Sequence, residues 1–373
     1  MEEGADRDAL FKFAVQSEAA KRLEAGIKLA ASETAVGVRV EDLDADPYLL
    51  NVENGTLNLR TGELRPHRRE DLLTKVAAVA YDRDAPCPRW LAFLDETFGG
   101  DAALIGSAGY ALTGDTSEQC LLVLEGSGAN GKTTAVEALA HVLGDYAAHV
   151  DSSTFMVGAG GGGPRPDVAR LHGARLVVSS EVEQGVRFAE VFVKQATGGD
   201  ALVVRQLYRE PFEFRPEFKV FITANSLPTI RGTDHAIWRR MRRVPFHHKV
   251  ERPDKQLPAK LRAEAPGIQA WMVEGCLAWQ REGLEPPAAV RVATEEYRTG
   301  QDTVGAFLRE RCRKASGATI PANILRAAYV AHCRDGGVHP VPEPAFKAAV
   351  EGGGFEWDRG KHGRFYRGVE VDP

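Results

Sequence analysis

One octapeptide narrows the possible folds of this chain more than anything else in it: Gly126-Ser127-Gly128-Ala129-Asn130-Gly131-Lys132-Thr133, directly after the apolar run Cys120 to Glu125. Glycines at this spacing let successive backbone N–H groups turn toward one centre where side chains would collide. The phosphates of a nucleotide triphosphate are the anion such a loop suits, with Lys132 reaching the β- and γ-phosphates and the Thr133 hydroxyl holding Mg²⁺ beside Thr134. A helix is expected from about Gly131 to Leu143, its positive end under the same phosphates. Strand, loop and helix in this order predict an α/β, P-loop NTPase core.

A nucleotide hydrolase needs a carboxylate at the tip of a buried strand as well. Glu181 and Glu183 end the run Arg175-Leu-Val-Val-Ser-Ser-Glu181 and are assigned that task, Glu181 toward the metal and Glu183 as a nearby base. A third strand, Glu217 to Asn225, ends in an amide able to touch the γ-phosphate and orient water. Standing alone, an Asn at that point is ordinary turn chemistry. Arg239 and Arg240 follow in Trp238-Arg-Arg240. Either could act across a subunit interface on the transferred phosphoryl group, Arg240 being preferred, or make ion pairs or nucleic-acid contacts.

Apolar residues from Asp8 to about Ala31 recur at helical spacing, and a short strand is expected from Thr56 to Leu59 between the turns Asn54-Gly55 and Thr61-Gly62. Asp84 to Arg89, with two prolines, reads as a linker into a helix at Trp90 to Thr97, and Gly158 to Pro166 as a surface loop. Helices are expected at Phe188 to Ala196, Lys255 to Arg262 and Gly267 to Gln280, with a hairpin over Ala201 to Phe214. From Asp302 onward, three helices and two short strands outline a winged helix. The expected domains are therefore 1–100, 101–300 and 301–373.

The order of these motifs resembles superfamily 3 helicases. Besides the loop, it comprises Arg-Leu-Val-Val-x-x-Glu181-x-Glu183, Lys194-Gln-Ala-Thr-Gly-Gly-Asp200 with Arg205 and Pro211-Phe-x-Phe214, Phe-x-Thr-Ala-Asn225 and Trp-Arg-Arg240. The subgroup it looks like is the phage and plasmid primase-helicase family, similar also to the poxvirus primase-helicase. Asp44 to Gly62 and Gly109 to Gly114 are similar to that family's N-terminal accessory region, so roughly 40–373 fit. The resemblance implies an AAA+-like homo-hexameric ring that hydrolyses ATP with Mg²⁺ between subunits and translocates on single-stranded or forked DNA, typically 3′ to 5′. It makes the Ala201 to Phe214 hairpin a pore element, with Arg205, Tyr208 and Arg209 on DNA and Lys194 on nucleotide or DNA. In the competing structural view Tyr208 is a half-buried sheet aromatic.

At the C-terminus, Arg359, Lys361, His362, Arg364 and Arg367 concentrate charge suited to duplex phosphates, Lys361 and Arg364 foremost, although charged hairpins are also ordinary solvated faces. Many relatives carry a primase domain ahead of the accessory region. Only about 40 residues precede the match here, without a Cys/His cluster, so this chain is not expected to make primers unaided: it is either a fragment of a longer protein or works with a separate primase or polymerase. The alternatives are an initiator or loader ATPase without processive unwinding, and a protein-remodelling AAA+ machine.

Composition excludes less. A net charge of -5 argues against a wholly basic nucleic-acid coat but not against a basic channel. Five scattered cysteines without a C-x-x-C pair read as reduced thiols rather than a zinc site. No apolar run approaches the ~20 residues of a membrane span, and the acidic start lacks a signal peptide's basic character. The expected location is a bacterial cytoplasm, with a phage or plasmid origin.

Overall fold

The computed structural model describes residues 2–33, 37–98, 105–158, 164–183, 185–230, 235–248, 254–338, 340–360 and 363–372. Two compact units divide the chain, Met1–Ala45 with Arg68–Thr74, and Asp46–His67 with Lys75–Pro373. The first unit is helical: α1 (Glu2–Ser17) and α2 (Ala20–Ala30) leave Phe11, Phe13, Ile27 and Leu29 exposed. Behind them Asp44 takes the Thr74 N–H at 2.8 Å, and Arg39 pairs with Asp42 at 2.8 Å.

The larger unit opens with an antiparallel meander, β1 (Leu49–Val52), β2 (Gly55–Asn58) and β3 (Glu63–Arg65). Helices α3 (Pro88–Phe98) and α4 (Ile105–Tyr110) lead to β4 (Leu121–Glu125), which precedes the glycine loop and α5 (Lys132–Leu143). The chain continues through β5 (Ala147–Val150), α6 (Pro166–Ala169), β6 (Leu176–Val182) and α7 (Glu190–Gly198). A hairpin of β7 (Leu202–Val204) and β8 (Phe212–Phe214) precedes β9 (Lys219–Ala224), α8 (His235–Trp238) and β10 (Met241–Pro245).

Strands β10, β4, β9, β6 and β5, in that order, form one parallel sheet. Its central strands β4 and β9, with the first half of β6, are apolar runs because both faces are covered there. Leu122 and Leu124 of β4 join the core around α5, while Leu121 and Val123 join the opposite core with Phe155, Val193 and Ile222. The strand carrying the glycine loop is separated from the strand carrying Glu181 by β9, whose tip is Asn225.

Two buried cations stand at the foot of this sheet. Arg175, just before β6, donates to the carbonyls of Leu112 and Leu49, both at 2.8 Å, and stacks on Tyr146. Lys219, paired in register with Leu176, donates to the carbonyls of Thr113, Asp115 and Glu217. They tie the segment after α4 and the start of β1 to the sheet.

Helices α9 (Leu257–Ala263), α10 (Ala265–Glu282) and α11 (Ala288–Gln301) pack beside the sheet. Gly109 of α4 lies directly on α10: a Cβ there would overlap Cys276 N and come within 2.7 Å of Met272 O. The last segment, α12 (Thr303–Arg311), β11 (Cys312–Pro321), α13 (Ala322–Asp335), α14 (Glu343–Gly352), β12 (Glu356–Gly360) and β13 (Gly363–Val371), has its own core around Phe307, Tyr329 and Phe346. Its sheet has three strands in the order β11, β13, β12 rather than the two the sequence suggested. Cys312 to Pro321 escapes detection because none of its residues is fully buried and its register breaks between Lys314 and Thr319, which leaves no apolar alternation.

Among the described residues no helix is long and apolar enough to cross a membrane, and no His/Cys/Asp/Glu cluster could hold a metal ion. The five cysteines are free, four of them buried.

Candidate functional site

Beyond β4 the chain leaves the sheet at Gly126, whose N–H donates to Ala224 O at 3.1 Å and whose Cα has no room for a side chain against Asn130. Gly128 (φ +92°), Ala129 (φ +50°) and Gly131 (φ +88°) all adopt left-handed backbone, which coils the loop into a cradle. Gly131 is also fixed by space, since a Cβ would sit 2.8 Å from the Phe93 ring. Helix α5 begins at once without a side-chain cap, so its first N–H groups open toward the cradle.

Lys132 is buried and folded back on the loop, donating to Gly126 O at 2.6 Å, Asn130 Oδ1 at 3.0 Å and Asn225 Oδ1 at 3.1 Å. Burial lowers its pKa, while the charges of Glu181 and Glu125 hold it up. Asn130 is itself anchored, its Nδ2 donating to Phe246 O at 2.9 Å. Glu125 is held by Arg243 of β10 at 3.0 Å.

Between Ser179 and Val182 strand β6 carries one residue more than β9, a bulge that takes Ser180 and Glu181 out of the ladder. Glu181 thereby faces a cavity of about 580 Å³ together with Gly128 to Thr134 and Asn225. Of the sequence-predicted nucleotide residues, Gly126 lies buried beneath this cavity, Ser127 faces solvent, and Glu183 is exposed and outside the lining. Sequence reasoning missed His149 and Glu137, which line the same cavity 3.7 Å apart. It also missed a smaller pocket of about 260 Å³ where Pro258, Leu261 and Arg262 of α9 face Thr133, Thr134 and Glu137. The helical pattern of α9 was readable; its placement over α5 had no local signal.

Arg239 and Arg240 lie at the opposite end of the sheet. Arg240 O accepts from Leu121 N at the foot of β4, so the five-residue strand, about 17 Å long, separates them from the loop in the same chain. The preferred Arg240 is buried, donating to Thr197 Oγ1 at 3.2 Å, Ala236 O at 2.6 Å and Gln119 Oε1 at 3.2 Å. Arg239 is exposed and bonds Gln119.

The β7–β8 hairpin projects Arg205, Tyr208 and Arg209 from its tip, all exposed. Tyr208 is 104% exposed and has φ +60°, so it packs in no sheet. Lys194, on α7, is half-buried. In the C-terminal sheet Arg359, Arg364 and Arg367 are exposed, and Arg367 pairs with Asp358 at 2.6 Å. Lys361 and His362 lie outside the described residues.

A parallel five-stranded α/β sheet with this loop at its carboxyl edge has the make-up of a P-loop NTPase-like core. The family model "D5 N terminal like" matches residues 1–99, and a "Family of unknown function (DUF5906)" matches 124–243. A protein of Acanthamoeba polyphaga mimivirus named "Putative helicase" is 29% identical over 310 residues, 72% of this chain and 31% of that protein. A protein of African swine fever virus named "Putative primase" is 24% identical over 318 residues, 76% of this chain and 33% of that protein. The chain is thus distantly related to viral proteins named as helicases and primases, and spans about a third or less of their length. A solved structure, the apo NrS-1 C-terminal region, aligns at 11% identity with a TM-score of 0.47, covering 88% of this chain and 83% of that one.

These relatives correct the expected bacterial, phage or plasmid setting. They belong to mimivirus, Frog virus 3, invertebrate iridescent viruses and African swine fever virus, which infect eukaryotes. The motifs that suggested otherwise answer to phosphate and metal chemistry, which is the same in any host.

Proposed function

We propose that this chain is the motor of an ATP-dependent DNA helicase of the superfamily 3, AAA+-like kind, acting in DNA replication. One observation carries the reading: Lys132 at the start of α5, Asn225 after β9 and Glu181 in the bulge of β6 line one cavity beside an uncapped helix N-terminus, at the carboxyl ends of three adjacent parallel strands.

ATP fits that cavity. The N–H groups from Gly128 to Thr133 receive its phosphates, and Lys132 exchanges Gly126 O, Asn130 and Asn225 for the β- and γ-phosphates. Release of Lys132 frees the Asn225 amide to orient the attacking water, so occupancy is felt at the tip of β9. The Thr133 hydroxyl and the Glu181 carboxylate would supply hard oxygen donors to Mg²⁺, which when bound would neutralise charge on the phosphates. Glu181 is the preferred carboxylate to take the proton of the attacking water and Glu183 the lesser candidate. The pocket of Pro258, Leu261 and Arg262 suits the adenosine.

Arg239, exposed and a strand's length from its own loop, is the better candidate to act on a neighbouring subunit's nucleotide; the buried Arg240 positions it through their shared partner Gln119. A head-to-tail contact of this kind closes into a ring, here a homo-hexamer. Arg205, Tyr208 and Arg209 contact single-stranded DNA in its pore, with Lys194 behind them. In this reading 1–100 is an accessory region, 101–300 the motor, and 301–373 a winged-helix-like DNA-binding unit carrying Lys361 and Arg364. Movement is 3′ to 5′, and primer synthesis is the work of a primase or polymerase activity outside this motor.

The test is steady-state ATP hydrolysis with and without single-stranded DNA, with Lys132→Ala as control, alongside strand displacement on forks bearing either tail. Stimulated hydrolysis and displacement requiring the 3′ tail are expected. Hydrolysis indifferent to DNA, with no displacement, points instead to a loader or protein remodeller.

A further inference from the structure

The C-terminal segment encloses a second concavity, of about 910 Å³, between α13, α14, β12 and β13. Three cations from three different elements line it, Arg326, Lys347 and Arg364, against the single carboxylate of Glu343. Arg326 donates through Nη2 to Val341 O and lies over the rings of Tyr329 and Phe346, yet its Nη1 is buried without a hydrogen-bond partner. Lys347 Nζ sits 3.4 Å from the centre of the Trp357 ring and reaches Glu351 only at 3.9 Å. Arg364 forms no ion pair among the described residues. Helices α13 and α14 both start behind a proline, Pro321 and Pro342, without a side-chain cap, and both first turns face the same space.

Uncapped helix ends and surplus cations call for an anion, and a half-buried indole at the wall calls for a flat ring beside it. We propose that this concavity holds a nucleotide unit of an unpaired DNA strand, its phosphate on Arg326, Arg364 and the first turn of α13, its base on Trp357. The incoming base displaces the Lys347 ammonium from the indole, and Lys347 turns to the flanking phosphate. A duplex keeps its bases stacked inside and offers this wall only phosphates, so the aromatic element distinguishes the two. The nucleic-acid reading above enters only in naming DNA as the strand. The site is distinct from the β7–β8 hairpin and from the glycine loop.

The test is fluorescence anisotropy of the full chain with a labelled thymidine oligomer of about 15 nucleotides and with a duplex of equal phosphate count. It is run in a background carrying Arg205→Ala, Tyr208→Ala and Arg209→Ala, so that hairpin binding does not mask the site. Trp357→Ala weakens single-strand binding about ten-fold and duplex binding less than about two-fold, and Trp357→Phe restores most of the loss. Lys347→Ala with Arg364→Ala lowers the salt slope of single-strand binding by about 1.4, two phosphates' worth. Equal losses on both DNAs, or an unchanged slope in the cation variant, overturn the proposal. If Trp357→Ala melts early, Trp357→Phe and the cation variant carry the decision. A chain without ATPase activity that still shows these differences retains this site and loses only the motor reading.

Discussion

Replacing Lys219 by Met tests how the foot of the sheet is held. Its ammonium is fully buried among the carbonyls of Thr113, Asp115 and Glu217 and lies 4.7 Å from the centre of the Tyr110 ring. Burial, reinforced by the nearby charge of Arg175, pulls its pKa from 10.5 down to about 7, with Asp115 opposing. The folded pKa lies below the unfolded one, so between them the unfolded chain binds the extra proton and stability rises with pH. Below about pH 7 the full cost of the buried charge is present and this contribution is flat. The slope approaches ~1.4 kcal/mol per pH unit, and integrating from about pH 7 to about pH 9 yields about 2 kcal/mol. Lys219→Met keeps most of the volume, removes the titration, and leaves three carbonyls without this donor. Urea unfolding of both proteins across that range should show wild type gaining about 2 kcal/mol relative to the variant. Parallel pH profiles would refute the assignment of a depressed lysine to this position.

Glu181→Gln should slow ATP hydrolysis at least ~100-fold while nucleotide binding persists, and Glu183→Gln should stay within about three-fold, both read from turnover and a fluorescent ATP analogue. Arg239→Ala should keep its melting temperature but lose roughly 10³-fold in turnover, with partial recovery on mixing with Lys132→Ala subunits; absence of recovery under subunit exchange counts against action in trans. Arg240→Ala should instead cost about 1–3 kcal/mol of stability by emptying a buried hydrogen-bonded site, measured by urea midpoint. Gly109→Ala should cost a further about 1–3 kcal/mol through α4 and α10 being pushed apart, with the ATP affinity of the folded protein unchanged.

The strands at Leu121–Glu125, Leu176–Val182 and Lys219–Ala224 were legible because both-face burial writes itself as unbroken apolar runs. The glycine loop was legible because its backbone conformation restricts residue type. Arg175, Lys219 and Arg240 were not, since a charged residue at a strand end reads as solvated, and the carbonyls that receive two of them come from tens of residues away. Strand β10 hid in Met-Arg-Arg-Val-Pro, whose two arginines interrupt the apolar pattern, Arg243 being held by Glu125 and Glu296. The order of preference between Arg239 and Arg240 likewise depended on burial, which two adjacent identical residues cannot reveal.

The hydrogen bonds by which Arg175 and Lys219 hold the segment after α4 end on main-chain oxygens, those of Leu112, Thr113 and Asp115. Every amino acid supplies a carbonyl, so the attachment reads the path of that segment and is blind to its spelling. Substitution at Leu112 or Thr113 removes packing or a hydroxyl but no acceptor for these cations. Insertion or deletion of a single residue between Thr113 and Asp115, by contrast, misaligns two acceptors at once. As an acceptor for these two cations, that stretch is indifferent to its letters and sensitive to its length.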